Sequence, residues 1–301
     1  MNERPIEKKK IIRTAPEVPP EEPTKEEKEL KAIDSLEPDK KLLEIRKMAS
    51  EIKERYNNDV RQESFNLLLL GESGSGKTIL SSTGRLPVHI DSFDDGGTKG
   101  LQKEIKENKV IADTQFESDD PFFPTTYLKW KREFDKRVRL GYFNHIGTYV
   151  LDSSTMWSAA IMNWILKKAG MAGGVPRFTH DYHPQKVEIV NHIKKCLDLP
   201  CDFILTGHLE GKKDDVTGKI QYRFMTTGKA EITIPLAFDE IWVADTKETA
   251  SGINYKIITG RTGPYLAATR IGRGVFETYE EPNIKALLKK AGRSVQDKPL
   301  F

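Results

Sequence analysis

One segment constrains what this chain can fold into more than any other: the apolar run Phe65 to Leu70 passes straight into Gly71-Glu72-Ser73-Gly74-Ser75-Gly76-Lys77-Thr78 and then into a helical stretch opening at Ile79-Leu80. The spacing predicts a buried strand, a glycine loop and a helix start in that order. Glycines let such a loop curl until successive N–H groups point at one centre, and the helix start adds partial positive charge, so phosphate oxygens are the expected ligand. Lys77 is expected to reach the β and γ phosphates, and Thr78 to place its hydroxyl on Mg²⁺. Placement between a strand and a helix separates the match from an ordinary glycine-rich turn. The candidate nucleotide-binding set is Gly71, Glu72, Ser73, Gly74, Ser75, Gly76, Lys77, Thr78 and Ile79.

Further apolar runs follow at Val88 to Asp91, Thr148 to Asp152, Phe203 to Thr206, Glu240 to Ala244 and Tyr255 to Thr259, separated by helix-length connections. Buried strands so spaced predict an α/β fold, a mainly parallel sheet flanked by helices. Turn signals at Asp215 to Gly218 and at Ser251-Gly252 predict an antiparallel or hairpin extension toward the C-terminus. Tyr149-Val150-Leu151-Asp152 brings a carboxylate to the end of a buried strand, where it can hold a metal through water; Asp152 also suits the N-cap of the helix after it. Three acids end the next candidate segment, Pro87 to Gly97. Asp94 is the first choice to orient or deprotonate an attacking water, then Asp95, then Asp91, although Asp-Gly clusters also make plain turns. Leu205-Thr206 runs into Gly207-His208, so His208 and Thr206 are candidates to report the γ phosphate.

The chain has 301 residues, long enough for one large domain, and its 48 basic against 45 acidic residues leave +3, which excludes a global nucleic-acid coat. Residues 1–60 carry 14 basic and 15 acidic side chains, six prolines and one aromatic, Tyr56. Such composition predicts a disordered charged arm over 1–36. A helix and linker over 37–62 follow, with Leu42, Leu43, Ile45, Met48, Ile52 and Tyr56 on an apolar stripe behind Pro38, packed on its own domain or on a neighbouring subunit. The main domain is expected over 63–293 and a flexible tail over 294–301. Cys196 and Cys201 are read as reduced packing residues. No apolar stretch reaches membrane-span length and the N-terminus lacks a signal-peptide pattern, so a cytoplasmic protein without membrane contact is expected.

Taken together, Gly71 to Thr78, Ile90-Asp91 with Asp94, Val150-Leu151-Asp152-Ser153 and Leu205-Thr206-Gly207-His208 resemble the RecA-like P-loop ATPases. The order is more similar still to the phage-encoded AAA-type ATPases of single-strand annealing and recombination. Asp181-Tyr182, Thr227-Gly228-Lys229, Phe238-Asp239-Glu240 and Ala268-Thr269-Arg270 extend the likeness over roughly residues 63–293. It implies Mg²⁺-dependent ATP hydrolysis and assembly into rings or filaments. It further implies single-stranded DNA binding by loops that here would be Ala169 to Gln185, with Arg177, His180 and Tyr182, and Leu209 to Lys229, with Lys212, Lys213, Lys219 and Arg223. Solvated hairpin charges are the competing reading of those basic residues. Asp-Ser-Phe-Asp-Asp departs from the tighter Asp-x-Asp of the family. Arg270 is the favoured basic residue to complete a neighbour's site, with Arg273 and Arg261 as alternatives, so the catalytic set is Lys77, Asp94, Asp95, Asp152, His208 and Arg270. Phage encoding would place the protein in host-cell cytoplasm. The N-terminal arm or the C-terminal tail, Gln296 to Phe301, could contact replication or recombination proteins. A helicase loader, another remodelling motor, or a DNA-annealing module that only binds nucleotide would share the phosphate site.

Overall fold

The computed structural model describes residues 24–59, 62–213, 218–250 and 252–300. The turn signal at Asp215 lies outside the described residues, as do Ser251, residues 1–23 of the charged arm and Phe301. The chain divides into two compact units, Met1–Asn58 and Asp59–Phe301.

In the first unit, α1 spans Lys25–Asp34 and α2 spans Pro38–Asn57. Helix α1 corrects the arm reading, which ran to residue 36. The prolines of the segment lie before residue 24 and at Pro38, and the stretch between them is rich in Lys, Glu, Leu and Ala, which favour helix even when highly charged. Helix α2 opens on a proline, whose missing N–H costs nothing in a first turn, with Asp39 beside it and Arg55 in its last turn.

The second unit is built on strands β1 (Asn66–Gly71), β2 (Val88–Ser92), β3 (Val110–Asp113), β4 (Thr148–Asp152), β5 (Asp202–Gly207), β6 (Leu209–Lys213), β7 (Ile220–Phe224), β8 (Glu240–Thr249), β9 (Gly252–Ile258), β10 (Ala268–Thr269) and β11 (Tyr279–Glu280). Its helices are α3 (Lys77–Ser81), α4 (Gln102–Lys106), α5 (Thr126–Arg139), α6 (Ser154–Lys168), α7 (Tyr182–Leu197), α8 (Ala230–Thr233) and α9 (Ile284–Lys290). The main sheet runs β11-β9-β8-β1-β5-β4-β2-β3, with β10 also on β8, while β6 and β7 form a separate hairpin. Strands β8, β1, β5, β4, β2 and β3 are parallel to their neighbours, and β9, β10 and β11 add antiparallel pairings. The fold is therefore α/β, a mostly parallel sheet with a C-terminal antiparallel extension.

Strand β1 shows why the apolar runs read so plainly. Leu68 and Leu70 enter one core layer with Trp130, Tyr149, Trp157 and Phe203, while Leu67 and Leu69 enter the other with Ile90, Val150, Ile204 and Trp242. A strand covered on both faces needs apolar side chains at every position rather than alternate ones. The register sets Gly71 opposite Ala244, Leu70 opposite Gly207 and Ser92 opposite Asp152, so the C-terminal strand ends meet at one edge.

The C-terminus also differs from the flexible tail expected over 294–301. Lys298 donates through Nζ to the carbonyls of Phe143 (3.3 Å), Ile146 (2.6 Å) and Pro200 (3.1 Å), and its backbone N–H donates to Leu86 O at 2.9 Å. The Leu86 N–H donates to Asp297 Oδ1 at 2.7 Å, and Lys285 Nζ reaches Asp297 Oδ2 at 2.8 Å. Two polar residues pin what its apolar end and charge suggested would fray.

Candidate functional site

At the meeting edge lies a cavity of about 670 Å³, lined by Ser73 to Leu80 together with Asp94, Asp95, Asp152 and His208. Gly71 and Glu72 of the binding set stand outside the lining and act beneath it: their carbonyls accept from Lys77 Nζ at 3.0 and 2.7 Å. Gly71 is required by packing, since a Cβ there would lie 2.5 Å from Ser75 Oγ and 2.8 Å from Ala244 O. Gly76 is required by conformation, with φ +85° at the turn into α3.

Two features fit this cradle to a phosphate chain. Ser75 Oγ is buried with no hydrogen-bond partner among the described residues, and the first amides of α3 lie beyond the reach of intrahelical acceptors. Lys77 is 7% exposed. Burial lowers its pKa, opposed by the charges of Asp152, Asp94 and Glu72, so an ammonium there gains from an anionic ligand.

Asp152 is buried at the end of β4. Thr78 Oγ1 donates to its Oδ2 at 2.6 Å and Thr206 Oγ1 donates to its Oδ1. Burial raises its pKa, against the hydrogen bonds from Thr206 and Thr78. The hydroxyl and carboxylate needed by a divalent ion are thus already in contact, and this donor set fits Mg²⁺: Thr78 would supply a direct oxygen and Asp152 would hold bound water.

Ser153, the N-cap residue of α6, donates through Oγ to Asp94 Oδ1 at 2.7 Å, which brings Asp94 beside Asp152. The segment carrying Asp94 is tied down by Glu117, which accepts from Ser92 Oγ at 2.9 Å and from the Gly96 N–H at 3.1 Å. Asp95 lines the same cavity and accepts from Ser118 Oγ at 3.4 Å. The third choice, Asp91, is corrected. It is fully buried, and its carboxylate is held by Trp130 Nε1 (2.9 Å), Tyr149 OH (2.7 Å), Arg137 Nη1 (2.8 Å) and His89 Nε2 (3.0 Å). Burial would raise its pKa, but those partners hold it below the usual carboxylate range. Asp91 is a structural acid.

His208 lines the cavity and shares a 3.0 Å hydrogen bond between Nδ1 and Thr155 Oγ1. Burial, then Lys77, lowers its pKa, so it presents a neutral ring. The hydroxyl of Thr206, the other sensor candidate, donates to the Asp152 carboxylate. Arg270 stands outside the cavity, donating to Leu236 O at 2.8 Å with Asp239 3.8 Å away. Arg273 is exposed and Arg261 lines a different cavity. Ala244, Gly97, Gly100, Tyr255, Lys256 and Pro282 complete the lining. The Tyr255 Cδ1 lies 3.2 Å from where a Gly76 Cβ would be, and Lys256 is ion-paired with Glu281. Gly97, Ala244, Tyr255 and Lys256 fall within segments already legible in the sequence, but no local pattern places them beside the glycine loop.

The basic residues of the two candidate loops are partly paired. Arg177 meets Asp181 at 2.9 Å, Lys212 meets Glu231, and Arg223 lies 3.5 Å from Glu231.

A family model described as an AAA domain matches residues 63–276, which contain the glycine loop, Asp94, Asp95, Asp152 and His208. The chain belongs to this AAA domain family. No curated protein matches it. Among solved structures, this AAA domain is similar to a KaiC-like protein from the archaeon Pyrococcus horikoshii, with 14% identity over 69% of this chain and 83% of that one, at TM-score 0.37. It is also similar to the flagellar accessory protein FlaH from Methanocaldococcus jannaschii, with 12% identity over 71% and 83%, at TM-score 0.39. Among the described residues, no helix of the AAA domain chain is long and apolar enough to cross a membrane.

Proposed function

We propose that this AAA domain protein binds ATP with Mg²⁺ and hydrolyses it, and that it works as a homo-oligomer on single-stranded DNA in phage-type recombination, repair or replication. The observation that carries the reading is the contact between Thr78 and Asp152 at the mouth of the glycine loop, 2.6 Å long. Mg²⁺, when bound, supplies charge neutralisation for the developing negative charge on the phosphates. Lys77 exchanges its two carbonyl partners for phosphate oxygens. Asp94, oriented by Ser153, accepts the proton of the attacking water, and Asp95 borders the same space. His208, which lines the same cavity, would stand beside the terminal phosphate. Tyr255, Ile79 and Pro282 form the apolar side of the cavity, against which the base rests.

Arg270 cannot serve its own chain's cavity, which supports a role across a subunit boundary. For DNA, the support is a second groove of about 690 Å³ lined by Phe178, Tyr182, His183 and Lys186. Phe178 is 87% exposed and its ring centroid lies 6.4 Å from that of Tyr182; aromatic faces beside cationic groups suit unpaired bases and their backbone. Phosphate release with and without single-stranded DNA tests the proposal. DNA should stimulate turnover, and Asp152→Asn should reduce it by roughly 10²–10³-fold, as expected for loss of a group stabilising developing charge. Turnover indifferent to DNA but raised by a replicative helicase would replace the DNA reading with the loader reading.

A further inference from the structure

Gln185 occupies the first turn of α7 and is 4% exposed, although it lies among polar and solvent-facing loops. Both ends of its amide are used. Nε2 donates to the Ser158 carbonyl at 2.8 Å and to Ser158 Oγ at 3.0 Å, and Oε1 accepts from Thr227 Oγ1 at 2.8 Å. Its own N–H donates to the Asp181 carbonyl at 3.2 Å, and Asp181 in turn holds the backbone and guanidinium of Arg177. This buried side chain therefore joins α6 to the segment after β7, while the backbone of the same residue joins the end of the 169–181 segment.

The other end of this connection is the nucleotide site. Helix α6 starts next to Asp152 and Ser153, and Thr155, one turn before Ser158, bonds the His208 ring. The His208 carbonyl accepts from the Met225 N–H at 2.9 Å, so the segment bearing Thr227 is attached to the same histidine by its backbone. Leaving a buried amide half-bonded is unfavourable. A shift of His208 or of the start of α6 is therefore followed by Gln185 and by both segments rather than absorbed at the junction.

We propose that Gln185 is a positioning residue that transmits the state of the nucleotide cavity to the segments 169–181 and 225–229. The inference rests on the nucleotide-binding reading but not on the DNA reading. Its test combines two measurements on the full chain: affinity for a fluorescent non-hydrolysable ATP analogue, and amide hydrogen exchange of the two segments with and without that analogue. In wild type the analogue slows exchange in both segments, by roughly 5–150-fold if the coupling has the usual size. Thr227→Ser keeps the hydroxyl and keeps the slowing. Thr227→Val and Gln185→Leu bind the analogue with wild-type affinity; Thr227→Val loses the slowing in 225–229, and Gln185→Leu loses it in both segments. Thr227→Val removes the bond from the far side, so the result does not depend on Gln185→Leu folding well. Slowing of 225–229 that persists in Thr227→Val, or slowing that is absent from wild type with analogue bound, overturns the proposal. Failure of wild type to bind the analogue overturns the function reading first, and the inference with it.

Discussion

At the scale of single residues, the ionisable groups divide between those that face the cavity and those that hold the core. His192 belongs to the second kind. Its Nε2 lies 2.9 Å from Tyr127 OH, and its Nδ1 is buried without a partner among the described residues. Burial first, then the charge of Lys131, depresses its pKa to about 4, against the pull of Glu188. The folded chain consequently refuses a proton that the unfolded chain accepts once pH falls below about 6.5. Stability should be complete above that value and fall as pH drops toward 4, by at most about 3 kcal/mol from this residue. Denaturant unfolding across that window checks it: His192→Gln should flatten the slope, and an unchanged slope would assign the acid sensitivity elsewhere. The same distinction separates Asp91 from Asp94, which the sequence ranked third and first without a structural ground. Both end an apolar strand beside other acids, and only packing shows that Trp130, Tyr149 and Arg137 enclose one while Ser153 turns the other toward the cavity.

At the scale of elements, the parallel strands were legible because double burial writes them as unbroken apolar runs, and the glycine loop because its spacing is tied to one backbone shape. The short strand β3 was not, since Val110 to Asp113 sits between charged turns and shows little contrast with them. Tyr255, Lys256 and Pro282 escaped for a different reason: the turn signal at Ser251-Gly252 announced the antiparallel extension, but no local pattern told that it would reach this cavity. Tail docking was equally hidden, because three carbonyl acceptors from two segments converge on Lys298 only in the fold. Lys298→Met should therefore lower stability by about 1–3 kcal/mol, the cost of leaving buried acceptors unpaired. Unfolding transitions of variant and wild type decide this, and coincident curves would show that the tail contributes nothing.

At the scale of the whole molecule, the cavity lies where β1 meets β5 on one side and β8 on the other, the place in a parallel sheet where crossovers diverge and leave a crevice at the strand ends. One side of the cavity is built at the ends of β1, β2, β4 and β5, and the other is closed by β9 and the loop after β11, so both the parallel core and its antiparallel extension line one site. A nearly balanced charge of +3 leaves the attraction of a polyphosphate to this local arrangement rather than to the surface at large. Calorimetric titration of Mg·ATP into the full chain and into Lys77→Ala tests that arrangement most directly. Wild type should take up nucleotide saturably, and loss of the buried ammonium should weaken uptake by roughly tenfold or more, the size of a charge-assisted hydrogen bond. Absence of uptake by wild type, or equal affinity in the two proteins, would contradict a phosphate chain held between Gly71 and Thr78.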